Sequence, residues 1–185
     1  CTYNTFIGGE AGDATTTSSS NTGIGYLALG ANTTGTRNVA VGASVLDANT
    51  TADDNTAIGY ASLGANTTGA SNTAVGSYAL DANTTAANNT AVGRDALTAN
   101  TTGTQNVAVG RSAGVSLTTG GYSVAIGAYA LDAATTADYN TAVGREALTA
   151  VTTGASNTGI GRNAGAAITT GASNVAVGAL ALDAN

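Results

Sequence analysis

Residues 55–71 read NTAIGYASLGANTTGAS and residues 72–88 read NTAVGSYALDANTTAAN, so one pattern of seventeen residues occurs twice in succession. Internal repeats of this kind are typical of solenoids, whose coils keep their length because they stack on identical neighbours. We therefore treat 1–185 as a single repeat domain, with 1–3 as the end of a preceding coil. The pattern has no insertion or deletion, and its eleven copies begin at residues 4, 21, 38, 55, 72, 89, 106, 123, 140, 157 and 174.

The residue types within the repeat favour strands and turns over helices. Thr, Asn, Val and Gly are poor helix formers, and a repeat of two helices needs more than about 30 residues. The sequence thus predicts an all-β fold, a parallel β-solenoid (β-roll) of eleven coils. Counting each repeat from its first residue, we expect strands near positions 1 to 5, 8 to 9 and 12 to 14.

Hydrophobic alternation indicates which positions face the core. Position 4 is Val or Ile in all eleven repeats and position 2 is Thr or Val, the period of a half-buried strand. We expect both to point inward, together with Leu at position 9 and hydrogen-bonded ladders of Asn at positions 1 and 12. The predicted core ladder comprises Val41, Ile58, Val75, Val92, Val109, Leu46, Leu63, Leu80, Leu97, Asn49, Asn66 and Asn83.

Positions 9 and 12 exchange volume between repeats. Where Leu is replaced by Gly114 and Gly165, position 12 changes from its usual Asn to Leu117 and Ile168. A close-packed interior requires such compensation, so the two positions are predicted to share one core. The first repeat, with Gly12 and Thr15, does not compensate, and we interpret it as an end of the stack.

Small residues at position 3 suggest an outer surface for self-association. That position is Ala or Gly in ten of the eleven repeats, and the core predicted above is thin, so we expect burial against other copies. The expected assembly is a homo-oligomer or, since neither end carries a capping helix, a head-to-tail filament. The predicted self-association face comprises Ala40, Ala57, Ala74, Ala91 and Ala108.

Composition excludes most catalytic chemistry and several kinds of partner. The chain has no His, Lys, Met, Trp or Pro, which removes Ser-His-Asp triads and lysine nucleophiles, and we predict no enzyme, cofactor or metal. A net charge of −6 argues against nucleic acid, and no apolar run reaches the roughly 20 residues of a membrane span. The paired carboxylates Asp53 and Asp54 are interpreted as a solvated turn.

Three stretches carry a resemblance to a known family. Residues 55–59 (NTAIG), 72–76 (NTAVG) and 123–127 (SVAIG) resemble the SVAIG strand in the head domain of trimeric autotransporter adhesins. The whole repeat is also similar to repeats in bacterial surface fibres and phage tail-fibre proteins. The resemblance implies a left-handed parallel β-roll, trimeric and located at the cell surface or outside the cell, that attaches to a host-cell, matrix or glycan receptor.

These observations lead to one functional expectation and two alternatives. We expect a structural, non-enzymatic building block of an extracellular fibre or adhesin shaft that self-associates through small-residue faces and end to end. The alternatives are a segment of a phage tail fibre and an ice-binding solenoid. Ice binding is less favoured because Thr is repeated at positions 13 and 14, where consecutive side chains of an extended strand point in opposite directions.

Overall fold

The computed structural model of the chain describes residues 1–183 and confirms the parallel β-solenoid. Each coil contributes one strand of three residues, which covers positions 2 to 4 of the repeat, and the described residues contain no helix. The strands are β1 (Thr5–Ile7), β2 (Thr22–Ile24), β3 (Val39–Val41), β4 (Thr56–Ile58), β5 (Thr73–Val75), β6 (Thr90–Val92), β7 (Val107–Val109), β8 (Val124–Ile126), β9 (Thr141–Val143), β10 (Thr158–Ile160) and β11 (Val175–Val177).

All eleven strands form one parallel sheet whose order follows the chain. The register advances by one repeat at each step, so that Ala57 is opposite Ala74 and Ile58 is opposite Val75. A β-carbon built on Gly42 would lie 2.8 Å from the carbonyl oxygen of Gly59, so equivalent glycines are in contact. Each repeat is therefore one coil, placed directly on its predecessor.

Backbone hydrogen bonds join the coils outside the sheet as well. In the coil of residues 55–71, the amide of Leu63 donates to Ala79 in the following coil at 3.0 Å. The amide of Ser71 donates to Asp53 in the preceding coil at 3.1 Å. Because amides in one coil bond to both neighbours, every interior coil is held from both sides.

The strands are shorter than predicted because several residues of each coil adopt the left-handed conformation. Positions 7, 9 and 17 have positive φ in every described coil, as at Ala61 (52°), Leu63 (53°) and Ser71 (59°). The strand predicted at positions 8 to 9 is therefore absent from the described residues. The strand predicted at 12 to 14 is also absent, since the consecutive amides of Thr67 and Thr68 share the carbonyl of Thr84 instead of alternating between neighbours.

The strands turn the opposite side to the core from the one predicted: position 3 faces inward, and positions 2 and 4 face outward. Ile58 is 39% exposed, Val92 and Val109 are each 37% exposed, and Val41 and Val75 are half-buried on the same outer side. Assigning these five residues to the core was wrong. The alanines of the predicted self-association face are fully buried and cannot meet another copy; they are Ala40, Ala57, Ala74, Ala91 and Ala108.

The small width of the coil explains this reversal. Leu148, at position 9, reaches across the interior to the strand of the following coil, where a β-carbon on Gly159 would lie only 2.7 Å from Leu148 Cγ. Little more than Ala or Gly fits there. Phe6 is the one large residue at position 3, and its coil has Gly12 in place of leucine at position 9. A β-carbon on Gly12 would lie 2.6 Å from the Phe6 ring, so the ring occupies the space of the missing leucine. The first coil is thus compensated after all, through position 3.

Leucines and two columns of asparagine fill the rest of the interior. Leu46, Leu63 and Leu80 are fully buried and Leu97 is 1% exposed. At position 12, Asn49, Asn66 and Asn83 are fully buried as well.

The asparagines at position 12 bond to one another from coil to coil. Asn66 Nδ2 donates to Asn49 Oδ1 at 3.1 Å, and Asn83 Nδ2 donates to Asn66 Oδ1 at 2.8 Å. Asn66 Nδ2 also donates to the carbonyl of Gly69 at 2.9 Å. The column ends at Asn100, whose Oδ1 has no partner because the next coil carries Leu117.

Position 1 forms a second ladder of a different kind. The backbone amide of Asn55 donates to Asn38 Oδ1 at 3.0 Å, and Asn55 Nδ2 reaches the carbonyl of Gly69 at 3.0 Å. Each side chain thus bonds a neighbouring coil and also closes its own coil. These bonds satisfy buried amides that would otherwise cost about 1–3 kcal/mol each.

Candidate interaction surfaces

The outward side chains of the strands form an uncharged surface of β-branched residues, here called the sheet face. Its residues alternate with the buried alanines, and most in column 4 are about two-fifths exposed. Column 4 consists of Ile7, Ile24, Val41, Ile58, Val75, Val92, Val109, Ile126, Val143, Ile160 and Val177. Column 2 consists of Thr5, Thr22, Val39, Thr56, Thr73, Thr90, Val107, Val124, Thr141, Thr158 and Val175.

Threonines at position 14 form a second exposed row, the threonine column. Their neighbours at position 13 have an internal role, since the Thr67 hydroxyl donates to the carbonyl of Thr84 at 3.1 Å. Within residues 1–183 the hydroxyls at position 14 make no hydrogen bond. The column consists of Thr17, Thr34, Thr51, Thr68, Thr85, Thr102, Thr119, Thr136, Thr153 and Thr170, all exposed.

Two carboxylates converge over Gly64 on the surface formed by position 10. A β-carbon on Gly64 would lie 2.8 Å from Asp81 Oδ1 and 3.6 Å from Asp47 Oδ1, although the two aspartates are two coils apart. Partial burial raises the pKa of Asp47, and burial together with the charge of Asp47 raises the pKa of Asp81. The glycine leaves room for this approach, which disfavours the charged forms of both groups.

We expect Asp81→Asn to stabilise the protein at pH 7 and to weaken its pH dependence. Because the folded state holds the proton more tightly than the unfolded state, stability should fall as pH rises from the ordinary carboxyl pKa through the raised one. Thermal unfolding of both proteins between pH 4 and pH 7 measures the difference. Asp13→Asn, an exposed aspartate at the same position, is the control. An unchanged pH profile for Asp81→Asn would contradict the expectation.

Asp53 and Asp54 connect two coils, consistent with a surface turn. Asp53 Oδ1 accepts a hydrogen bond from the backbone amide of Thr36 at 2.6 Å. Arg37 forms a bidentate ion pair with Asp54, with Nε donating to Oδ1 at 2.6 Å and Nη2 donating to Oδ2 at 2.9 Å. This hydrogen bond from Arg37 lowers the pKa of Asp54. Both side chains of the ion pair are about half exposed, so solvent screens the pair and it contributes little to stability.

Tyrosines on the turns form two exposed aromatic pairs. Tyr60 and Tyr78 meet edge to face with ring centres 5.4 Å apart, and Tyr122 stacks on Tyr139 at 5.0 Å. Tyr122 is 51% and Tyr139 58% exposed, so each pair keeps ring surface available. Exposed aromatic side chains of this kind frequently anchor partners.

The Asn-Thr-Thr segments are unsuitable for N-linked glycosylation in the folded protein. Notably, Asn32 and Asn49 are fully buried, and Asn49 Nδ2 donates to Asn32 Oδ1 at 2.9 Å. A glycosyl transferase could not reach these amide nitrogens without unfolding the coil. Their role in the structure is to form the ladder at position 12.

The structure brings together the predicted leucines and asparagines but separates them from the valines and isoleucines. What sequence reasoning missed is the sheet face, since the larger β-branched residues were assigned to the interior. One signal was present: Phe6 at position 3 accompanies Gly12 at position 9. That exchange of volume places position 3, and not position 4, opposite the leucine.

Comparison with family models, with curated proteins and with solved structures finds no match to this chain. The described residues contain no cluster of three or more side chains suited to a metal ion, and no pocket opens on their surface. Among the same residues, no helix could span a membrane. The surfaces described above therefore provide the basis for a functional proposal.

Proposed function

We propose that this protein is a structural, non-enzymatic building block of an extracellular fibre or adhesin shaft. The observation that carries the proposal is the continuity of the coil-to-coil hydrogen bonding, which runs through eleven parallel strands without interruption. Such a stack resists extension and bending along its axis, as a shaft requires. The resemblance of the repeat to surface-fibre repeats supports the location at the cell surface.

Self-association is part of this proposal, but through a different surface from the buried alanines. The sheet face is exposed and uncharged, which suits contact between copies. End-to-end stacking and a trimer remain predictions. Exposed tyrosine pairs would supply contacts for a host-cell, matrix or glycan receptor.

Electron microscopy of the purified chain in negative stain tests the proposal. A single coil stack of eleven strands spaced about 4.8 Å apart is roughly 50 Å long. We expect filaments longer than one such rod. A field of uniform single rods at micromolar concentration would contradict it. Antibody labelling of cells and of phage particles from the source then distinguishes an adhesin shaft from a tail-fibre segment.

Ice binding is the second candidate, and the threonine column favours it. Ten exposed hydroxyls that lack internal partners recur at one spacing along the rod, although the neighbouring position 17 varies among six residue types. A regular array of hydroxyl and methyl groups could order water in register with an ice surface. Thermal hysteresis measurements test this candidate: activity that Thr85→Lys with Thr119→Lys abolishes would support it, and no activity would reject it.

A further inference from the structure

The sheet face is unusual for a solvent-exposed surface because only β-branched residues occur in it. Its eleven rungs carry Val or Ile at column 4 and Thr or Val at column 2. Strand propensity favours these residue types, but it does not exclude the charged residues that commonly protect exposed strands. Ile58 and Ile126 each remain 39% exposed at this surface. An uninterrupted apolar column of this length indicates that another surface covers it.

The distribution of charge indicates the side on which two copies can approach. Every Asp, Glu and Arg lies at position 6, 7, 10, 16 or 17, and none belongs to the sheet face. With a net charge of −6, two copies repel each other wherever the turns meet. Contact through the sheet face keeps these turns at the periphery, where water and salt screen them.

The size of the sheet face is sufficient for a specific contact between two copies. Eleven rungs of three residues span about 50 Å by about 10 Å, roughly 500 Å² in each copy. Two copies would together bury about 1,000 Å², the lower limit for a specific protein interface. Constant spacing of the rungs also makes the surface complementary to itself, because the ridges of one copy fit between the ridges of the other.

We propose that the sheet face packs against the sheet face of a second copy of this chain, forming a two-fold pair. This inference rests on the self-association included in the proposed function and specifies its surface. A single self-complementary patch produces a two-fold contact, whereas a ring of three requires two different patches on each copy. The pair would be a two-layer sandwich that encloses the valines and isoleucines of column 4.

Sedimentation equilibrium of the intact chain and of two matched variants tests the pair. The face variant is Ile58→Lys with Ile126→Lys, and the control is Thr68→Lys with Thr136→Lys in the same two coils. Both variants gain the same charge, but only the first places it within the contact. We expect twice 17.6 kDa for the parent protein and the control. The dissociation constant of the face variant should be larger than that of the parent by about 30-fold or more.

A monomeric parent, a mass of three times 17.6 kDa, or equal association of all three proteins would overturn the proposal. Circular dichroism establishes that each variant is folded. If the lysines disturb the strands, Ile58→Thr with Ile126→Thr retains β-branching and should still weaken pairing, and unchanged pairing would count against the proposal. If the face variant does not pair but still forms filaments, the sheet-face contact is refuted as the basis of the fibre and the fibre itself is not. If the parent protein forms pairs but no filaments, the proposed fibre is refuted and the pair is not.

Discussion

Ala91→Glu is expected to destabilise the protein by roughly 3–5 kcal/mol, because it places an unpaired carboxylate in the interior. Ala91 is fully buried behind the strand, whereas the next residue, Val92, is 37% exposed. Val92→Glu should therefore cost no more than about 1 kcal/mol, the usual range of strand propensity. The comparison holds the strand, the coil and the added charge constant and changes only the direction of the side chain.

Urea unfolding followed by circular dichroism measures both variants, at a concentration where the parent is monomeric. A larger loss for Val92→Glu than for Ala91→Glu would mean that the valines are inside, as the hydrophobic pattern alone predicts. Ala91→Ser serves as the control for substitution without charge, because Ser62 is already tolerated at another buried position.

The stacking of the coils could be predicted from the period, but the orientation of the strand could not. In-register pairing requires equal repeat length, so the constant spacing of Gly42 and Gly59 was sufficient evidence. In a strand, alternate residues face the core, and the pattern alone allows either set to do so. The set with the larger side chains is usually the buried one. Here the interior at the strand is too shallow for them, since Leu148 already lies close to Gly159. That depth depends on the path of the rest of the coil.

The path of the coil could not be predicted because several of its residues adopt the left-handed backbone conformation. Leu63 has φ of 53° and Ala61 has φ of 52°, and neither residue type signals that conformation. Only three glycines at position 9, among them Gly114 with φ of 59°, hinted at it. The paired substitutions at positions 9 and 12 depend only on the contact between the two side chains and not on the backbone conformation. For this reason the leucines and asparagines could be assigned to the core from the sequence.

Leu63→Gly and Asn66→Leu are each expected to destabilise the protein strongly, and the double variant is expected to recover much of the loss. Removing the fully buried Leu63 side chain should cost about 3–5 kcal/mol through lost burial and the cavity left behind. Its positive φ is no obstacle to glycine. Asn66→Leu alone should cost about 2–4 kcal/mol, because it adds volume beside Leu63 and removes the partner of Asn49 Oδ1.

The chain itself contains the double exchange, at Gly114 and Leu117, where the coil is intact and Leu117 is fully buried. There the interruption of the ladder leaves Asn100 Oδ1 without a partner, so the double variant should retain a residual cost of about 1–3 kcal/mol. A double-mutant cycle from urea unfolding should therefore give a favourable coupling of more than about 1 kcal/mol. Strictly additive losses would mean that the two positions fill separate spaces, and the account of one shared interior would fail.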